Sequence, residues 1–221
     1  MKNVLYVFGG SRGGGIPSNA VWAYNPKTKT WTAMADMPTA RWYRGAVVER
    51  DLIYVTGGMV NTSDFVATVE SYNPATNTWT EEAPMLGTKQ GPAVGLLGTT
   101  IVAADGGVQP GEITGDTEGY DAATNTWTEL TADPTARVFS CFGSIGPKFY
   151  DIGGYLNNAG APTTVSESFQ LAKKKWTTTL APIPQGTMLG SSAVYRGQLY
   201  CIGGWSTWQG TPINNVQIYQ P

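Results

Sequence analysis

Histidine is absent from the sequence. That excludes an imidazole base, a His-containing catalytic triad and a His-ligated metal. Cysteine is scarce, with only Cys141 and Cys201. A disulfide-stapled scaffold needs more, and 221 residues are enough to bury a core without cross-links. Both cysteines lie in apolar runs, SCFGSIG and LYCIGG, so two buried free thiols are expected. Charge is sparse too: 14% of residues are charged, the formal net charge is −2, and no basic patch stands out. This argues against a nucleic-acid partner. No apolar run is long enough to span a membrane, and VLYVFGG after Met1-Lys2-Asn3 is too short for a secretory signal. The expectation is a soluble chain with no signal peptide or membrane segment of its own, which a longer secreted or cell-surface protein could contain.

What the sequence does have is glycine (28), proline (14) and an internal repeat. Glycine doublets stand at Gly9-Gly10, Gly57-Gly58, Gly106-Gly107, Gly153-Gly154 and Gly203-Gly204, spaced by 48, 49, 47 and 50 residues. Each follows a short apolar run: LYVF, IYVT, VAAD, FYDI or LYCI. An aromatic comes 14 to 16 residues after each doublet begins, at Tyr24, Tyr72, Tyr120, Phe169 and Tyr219. Seven residues beyond the first four stand Trp31, Trp79, Trp127 and Trp176. The links repeat as well, as YNPKTKTW, YNPATNTW and YDAATNTW. Short apolar runs bounded by Gly, Pro and Asn read as strands, and a doublet suits a chain reversal that needs positive φ.

The period of nearly 50 and the Gly-Gly, Tyr and Trp landmarks resemble the Kelch repeat, over essentially the whole chain. The resemblance implies an all-β propeller of four-stranded blades, lettered a to d from the channel outward. Five units are expected in a single domain, at about 1–38, 39–86, 87–134, 135–184 and 185–221. The first lacks strand a and the last lacks strand d, so either a closed five-bladed ring or a partial propeller is expected. A bare edge at VQIYQ would be a pairing template for a second copy. The recurring Tyr and Trp residues are expected to fill the wedges between blades.

Alternating strand direction places the b–c and d–a loops on one face. The b–c loops are long and dissimilar, which leaves them free to specialise. Candidate binding residues there are Arg12, Asn61, Asp64, Tyr155, Asn157, Trp205 and Trp208. The d–a connections PTARWYRG, GTKQG and PTARVFS add Arg41, Trp42, Tyr43, Arg44, Lys89, Arg137 and Phe139. Aromatics mixed with arginine have the composition of binding hot spots. Arg41, Lys89 and Arg137 also recur in register, which suits a structural role. So do Glu70, Glu118 and Glu167, each two residues before the strand-c aromatic. Asp105 and Asp151, placed at the end of strand b, are expected to face the channel or to accept loop hydrogen bonds.

GGSRGGG lacks the ending of a phosphate loop, and DGGVQPGEITGDTEG lacks the spacing of a calcium loop. No cofactor or metal is expected. The reading is an interaction module that binds a protein segment or a glycan through the b–c and d–a face, not an enzyme. One alternative is a sugar isomerase or mutarotase that uses channel-mouth carboxylates, Asp105 and Asp151. Another is a structural or excised propeller unit with no ligand of its own.

Overall fold

Apolar runs of about five residues between turn signals pair with their sequence neighbours, unit by unit. The computed structural model describes residues 3–156, 161–207 and 210–221. Blade 1 holds β1 (Leu5–Ser11), β2 (Pro17–Asn25) and β3 (Thr30–Met34). Blade 2 holds β4 (Gly45–Glu49), β5 (Leu52–Thr56), β6 (Val69–Asn73) and β7 (Thr78–Glu82). Blade 3 begins with β8 (Ala93–Leu97) and β9 (Thr100–Ala104). Its b–c loop carries a small hairpin of β10 (Gly107–Gln109) and β11 (Glu112–Ile113), which repeat reasoning did not foresee. β12 (Thr117–Asp121) and β13 (Thr126–Leu130) complete it. Blade 4 holds β14 (Cys141–Ile145), β15 (Lys148–Ile152), β16 (Ser166–Gln170) and β17 (Lys175–Thr177), with one 3-10 turn, Leu171–Lys173. Blade 5 holds β18 (Ser191–Tyr195), β19 (Gln198–Ile202) and β20 (Val216–Tyr219).

Every blade is an antiparallel meander, and the inner strands β4, β8, β14 and β18 lie side by side. The architecture is therefore a five-unit β-propeller with strand a missing from the first unit and strand d from the last. The core lies between the blades. Phe8, Val21 and Met37 of the first unit pack on Ile53, Val55 and Tyr72 of the second. Tyr54 and Val69 meet Ile101, Tyr120 and Trp127 across the next wedge. The following wedge joins Ala93 and Val102 to Phe149, Phe169 and Trp176. Three of the recurring tryptophans also reach back to the preceding unit. The indole N–H of Trp79 donates to Ala35 O at 2.9 Å, that of Trp127 to Ala83 O at 2.9 Å, and that of Trp176 to Thr131 O at 2.8 Å. Each large aromatic thus buries its body while its polar atom is satisfied.

Two expectations need correction. Cys141 and Cys201 are not free thiols: they form a disulfide between β14 and β19, 60 residues apart in sequence. The apolar runs placed both on strand faces turned toward the same wedge, which sequence alone did not reveal. The third glycine doublet is also shifted in register. Gly57 and Gly58 turn the chain out of β5 with φ of 62° and 105°, and a Cβ on Gly57 would stand 2.4 Å from Lys89 O. In the third unit those two positions fall on Asp105 (φ 60°) and Gly106 (φ 116°). Asp105 is therefore not the last residue of strand b. It occupies the left-handed turn beyond it, a conformation that Asp tolerates better than most residues.

Candidate functional site

The d–a connections are built alike in blades 2 to 5. A residue at the start of each bridges a residue of its own b–c loop: Trp42 to Met59, Gln90 to Gly107, Val138 to Tyr155 and Met188 to Trp205. These bridges tie both sets of loops together on one face. The next residue in each is left-handed: Tyr43 (φ 49°), Gly91 (φ 60°), Phe139 (φ 60°) and Leu189 (φ 58°). Successive blades are linked through these same residues. The Gly91 N–H donates to Tyr43 O at 2.7 Å, the Phe139 N–H to Gly91 O at 3.4 Å, and the Leu189 N–H to Phe139 O at 3.0 Å. A backbone belt therefore runs around the channel mouth. Positive φ is costly for bulky residues, and Tyr43, Phe139 and Leu189 adopt it because the belt fixes them.

Inside the belt lies a cavity of about 590 Å³ to which all five units contribute. Its wall includes Tyr6, Tyr43, Arg44, Phe139, Phe142 and Ser192. The rings of Tyr43 and Phe139 are 4.8 Å apart, and Tyr43 is exposed. Arg44 donates to Phe8 O, while its Nε has no hydrogen-bond partner. Burial lowers the Arg44 pKa, and no carboxylate forms an ion pair with it among the described residues. The site joins aromatic faces, hydroxyls and a cation that lacks a counter-charge.

The other sequence candidates divide by depth. Arg41, Lys89 and Arg137 lie beneath the face and are fully buried. Arg41 pairs with Glu70 at 2.7 Å and donates to Thr68 O at 2.8 Å. Lys89 pairs with Glu118 at 3.4 Å, and Arg137 pairs with Glu167. Burial lowers the Arg41 pKa despite the opposing pull of Glu70. These three cations hold each blade's connection to its own strand c. Asn61 and Asp64 form a local turn, with Asn61 Nδ2 donating to Asp64 Oδ2 at 2.6 Å. Arg12 is exposed and donates to Ser18 Oγ at 3.3 Å. Trp42 is half-buried with its ring 5.9 Å from Tyr43. Trp205 and Tyr155, also half-buried, pack on the cluster of Val138, Phe139 and Met188. Asn157 and Trp208 lie outside the described residues. Of the sequence candidates, Tyr43, Arg44 and Phe139 thus line the cavity, while Trp42 adjoins Tyr43 and Tyr155 and Trp205 pack beside Phe139.

Sequence reading missed Leu189 and Ser192, which line the cavity. The signal was present, since Tyr43, Gly91, Phe139 and Leu189 all stand two residues after Arg41, Lys89, Arg137 and Thr187. A glycine in that series marks the left-handed position. The reading of Asp105 and Asp151 as channel-mouth groups is corrected. Both are buried between blades 3 and 4 beside Asp133, and neither lines the cavity. Burial raises the pKa of all three, that of Asp105 well above the ordinary range with Asp151 and Asp133 adding to the effect.

Blades with these landmarks around a central channel define a propeller of the Kelch type. Residues 1–154 match the pattern of the KLHDC2/KLHL20/DRC7 Kelch-repeats domain, and residues 189–221 match the Kelch motif. The chain belongs to the Kelch-repeat family. No curated protein matches its sequence. Among solved structures, that of YjhT is similar over 100% of this chain and 79% of its own, with a TM-score of 0.87 and 20% identity. At that identity the likeness shows the fold alone. Among the described residues no helix is long and apolar enough to cross a membrane.

Proposed function

We propose that the chain is an interaction module that takes a protein segment or a glycan at the channel mouth, on the face of the b–c and d–a loops. The carrying observation is the belt-held cavity, in which the tilted rings of Tyr43 and Phe139 lie beside the guanidinium of Arg44, which has no carboxylate partner among the described residues. Aromatic faces suit both sugar rings and peptide side chains, and a desolvated cation favours a ligand that brings a carboxylate or several carbonyl oxygens. Kelch membership supports an interaction role in general. The isomerase reading has less support, because Asp105 and Asp151 are sealed away from the cavity. The Cys141–Cys201 disulfide favours an oxidising compartment as the place of work.

The test begins with a screen of peptide and glycan arrays. Tyr43→Ala with Trp205→Ala should then weaken the best binder by well over tenfold in titration calorimetry, since a hot-spot truncation typically costs about 2 kcal/mol. The double variant should keep its strand signal in circular dichroism. Unchanged affinity in a folded double variant would remove this face from consideration.

A further inference from the structure

The wedge between blades 3 and 4 differs chemically from the other wedges. Asp105 stands where the other units have Gly9, Gly57, Gly153 and Gly203. Asp133 stands where they have Met37, Met85 and Ile183, all buried. Asp151 occupies the strand-b position that is Val7, Val55, Ala103 and Cys201 elsewhere. Three positions that are glycine, apolar or sulfur-bearing in the other units have thus become carboxylates together in one place.

Their geometry is convergent. One carboxylate oxygen from each of the three residues lies within 4.8 Å of those of the other two. Asp105 and Asp133 use one oxygen locally: Asp105 Oδ1 accepts from the Arg137 N–H at 3.4 Å, and Asp133 Oδ1 from the Thr135 N–H at 3.0 Å. Their Oδ2 atoms and both oxygens of the fully buried Asp151 have no donor in hydrogen-bonding geometry, although the Ser140 hydroxyl and the Asp105 carboxyl lie close to Asp151. Arg137 approaches Asp133 Oδ2 at 3.6 Å, but its guanidinium is already engaged by Glu167. Three carboxylates therefore converge on one point with a single shared guanidinium. Buried acceptors without donors are costly, and uncompensated buried charge more so.

We infer that Asp105, Asp133 and Asp151 form a binding site for a calcium ion that pins blade 3 to blade 4. Carboxylate oxygens are hard ligands, which favours calcium or magnesium over transition metals. Calcium is preferred because it accepts irregular oxygen geometry, whereas magnesium gives up its water reluctantly and this wedge is sealed from solvent. The site is distinct from the channel-mouth cavity and holds whether or not that face binds a ligand.

The test uses the full chain, stripped with a chelator and then titrated with calcium chloride. One ion per chain should bind, and the melting temperature should rise by several degrees over the chelated protein; magnesium at equal concentration should do less. Terbium luminescence, displaced by calcium, gives a second readout that needs no variant. Asp151→Val installs the residue of the second unit and should keep the fold while abolishing both responses. The inference is overturned if calcium neither binds nor shifts the melt, or if Asp151→Val still binds it. It is also overturned if the carboxylates hold protons in place of the ion. Their raised pKa values would then make stability highest below the ordinary Asp range and lower as pH rises through the folded values, with no response to calcium.

Discussion

The middle three blades and the two end blades carry the same repeat and live in different surroundings. Trp127, against the preceding unit, is 8% exposed, whereas Trp31 at the matching position of the first unit is 53% exposed. Strand b shows the same contrast: Ile53 is 4% exposed and its counterpart Leu5 is 58%. At the other end, Ile202, Val216 and Ile218 of blade 5 are exposed, while Thr56, Val69 and Ser71 at the same positions of blade 2 are buried. The first and fifth blades therefore do not cover each other as neighbours within the series do. The polar interior follows the same division. Blades 2, 3 and 4 each hold a buried ion pair between the d–a connection and strand c. In blade 5 the pair is replaced by Thr187 and Gln217, with Gln217 Nε2 donating to Gln185 O at 2.9 Å. In blade 1 the acid position is Trp22, itself exposed. A repeat landmark is thus worth what its neighbour makes of it.

That contrast is open to direct attack. Trp127→Ala should cost about 3–5 kcal/mol, because it opens a cavity and frees the Ala83 carbonyl, and denaturant unfolding would measure it. Arg41→Ala should cost a similar amount, about 3–5 kcal/mol, because Glu70 is left as an uncompensated buried charge. A loss below about 1 kcal/mol would mean that water reaches the pair. Reduction of the disulfide, or Cys201→Ser, should cost about 2–4 kcal/mol by releasing a long loop in the unfolded chain. That loss should appear as earlier melting of blade 5, which has three strands and no buried ion pair of its own among the described residues. Smallest of all, Trp31→Ala and Leu5→Ser should each stay within about 0.5 kcal/mol of the parent. A large loss at either would show that the first blade's outer face is covered in solution.

The fold was legible because the repeat fixes strand order, and strand order fixes the wedges. Of the recurring tryptophans expected in the wedges, Trp79, Trp127 and Trp176 reach the preceding unit, whereas Trp31 is exposed. The recurring Glu residues were legible as structural, and each pairs with the buried cation of its own unit. Three things were not legible. Pairing of Cys141 with Cys201 depends on which strand faces share a wedge, and the sequence shows only that both lie in apolar runs. The shift of the third doublet by one residue hid the turn position of Asp105 behind a third glycine. Meeting of Asp133 with Asp105 and Asp151 joins a connector, a turn and a strand from two units, a proximity without a local signal. The face proposed for binding was legible in part. Tyr43, Arg44 and Phe139 were found as aromatics and cations in d–a loops, but the belt that aims them arises from left-handed backbone in four successive units.

Native-state hydrogen exchange, resolved strand by strand, tests the central claim most directly, since protection reports local opening free energy. The account predicts the slowest exchange in β9, β12, β15 and β16, whose side chains are covered from both sides, and the fastest among strands in β1 and β20. Protection of β1 and β20 equal to that of β9 would contradict it, and would mean that the end blades are packed as tightly as the middle ones.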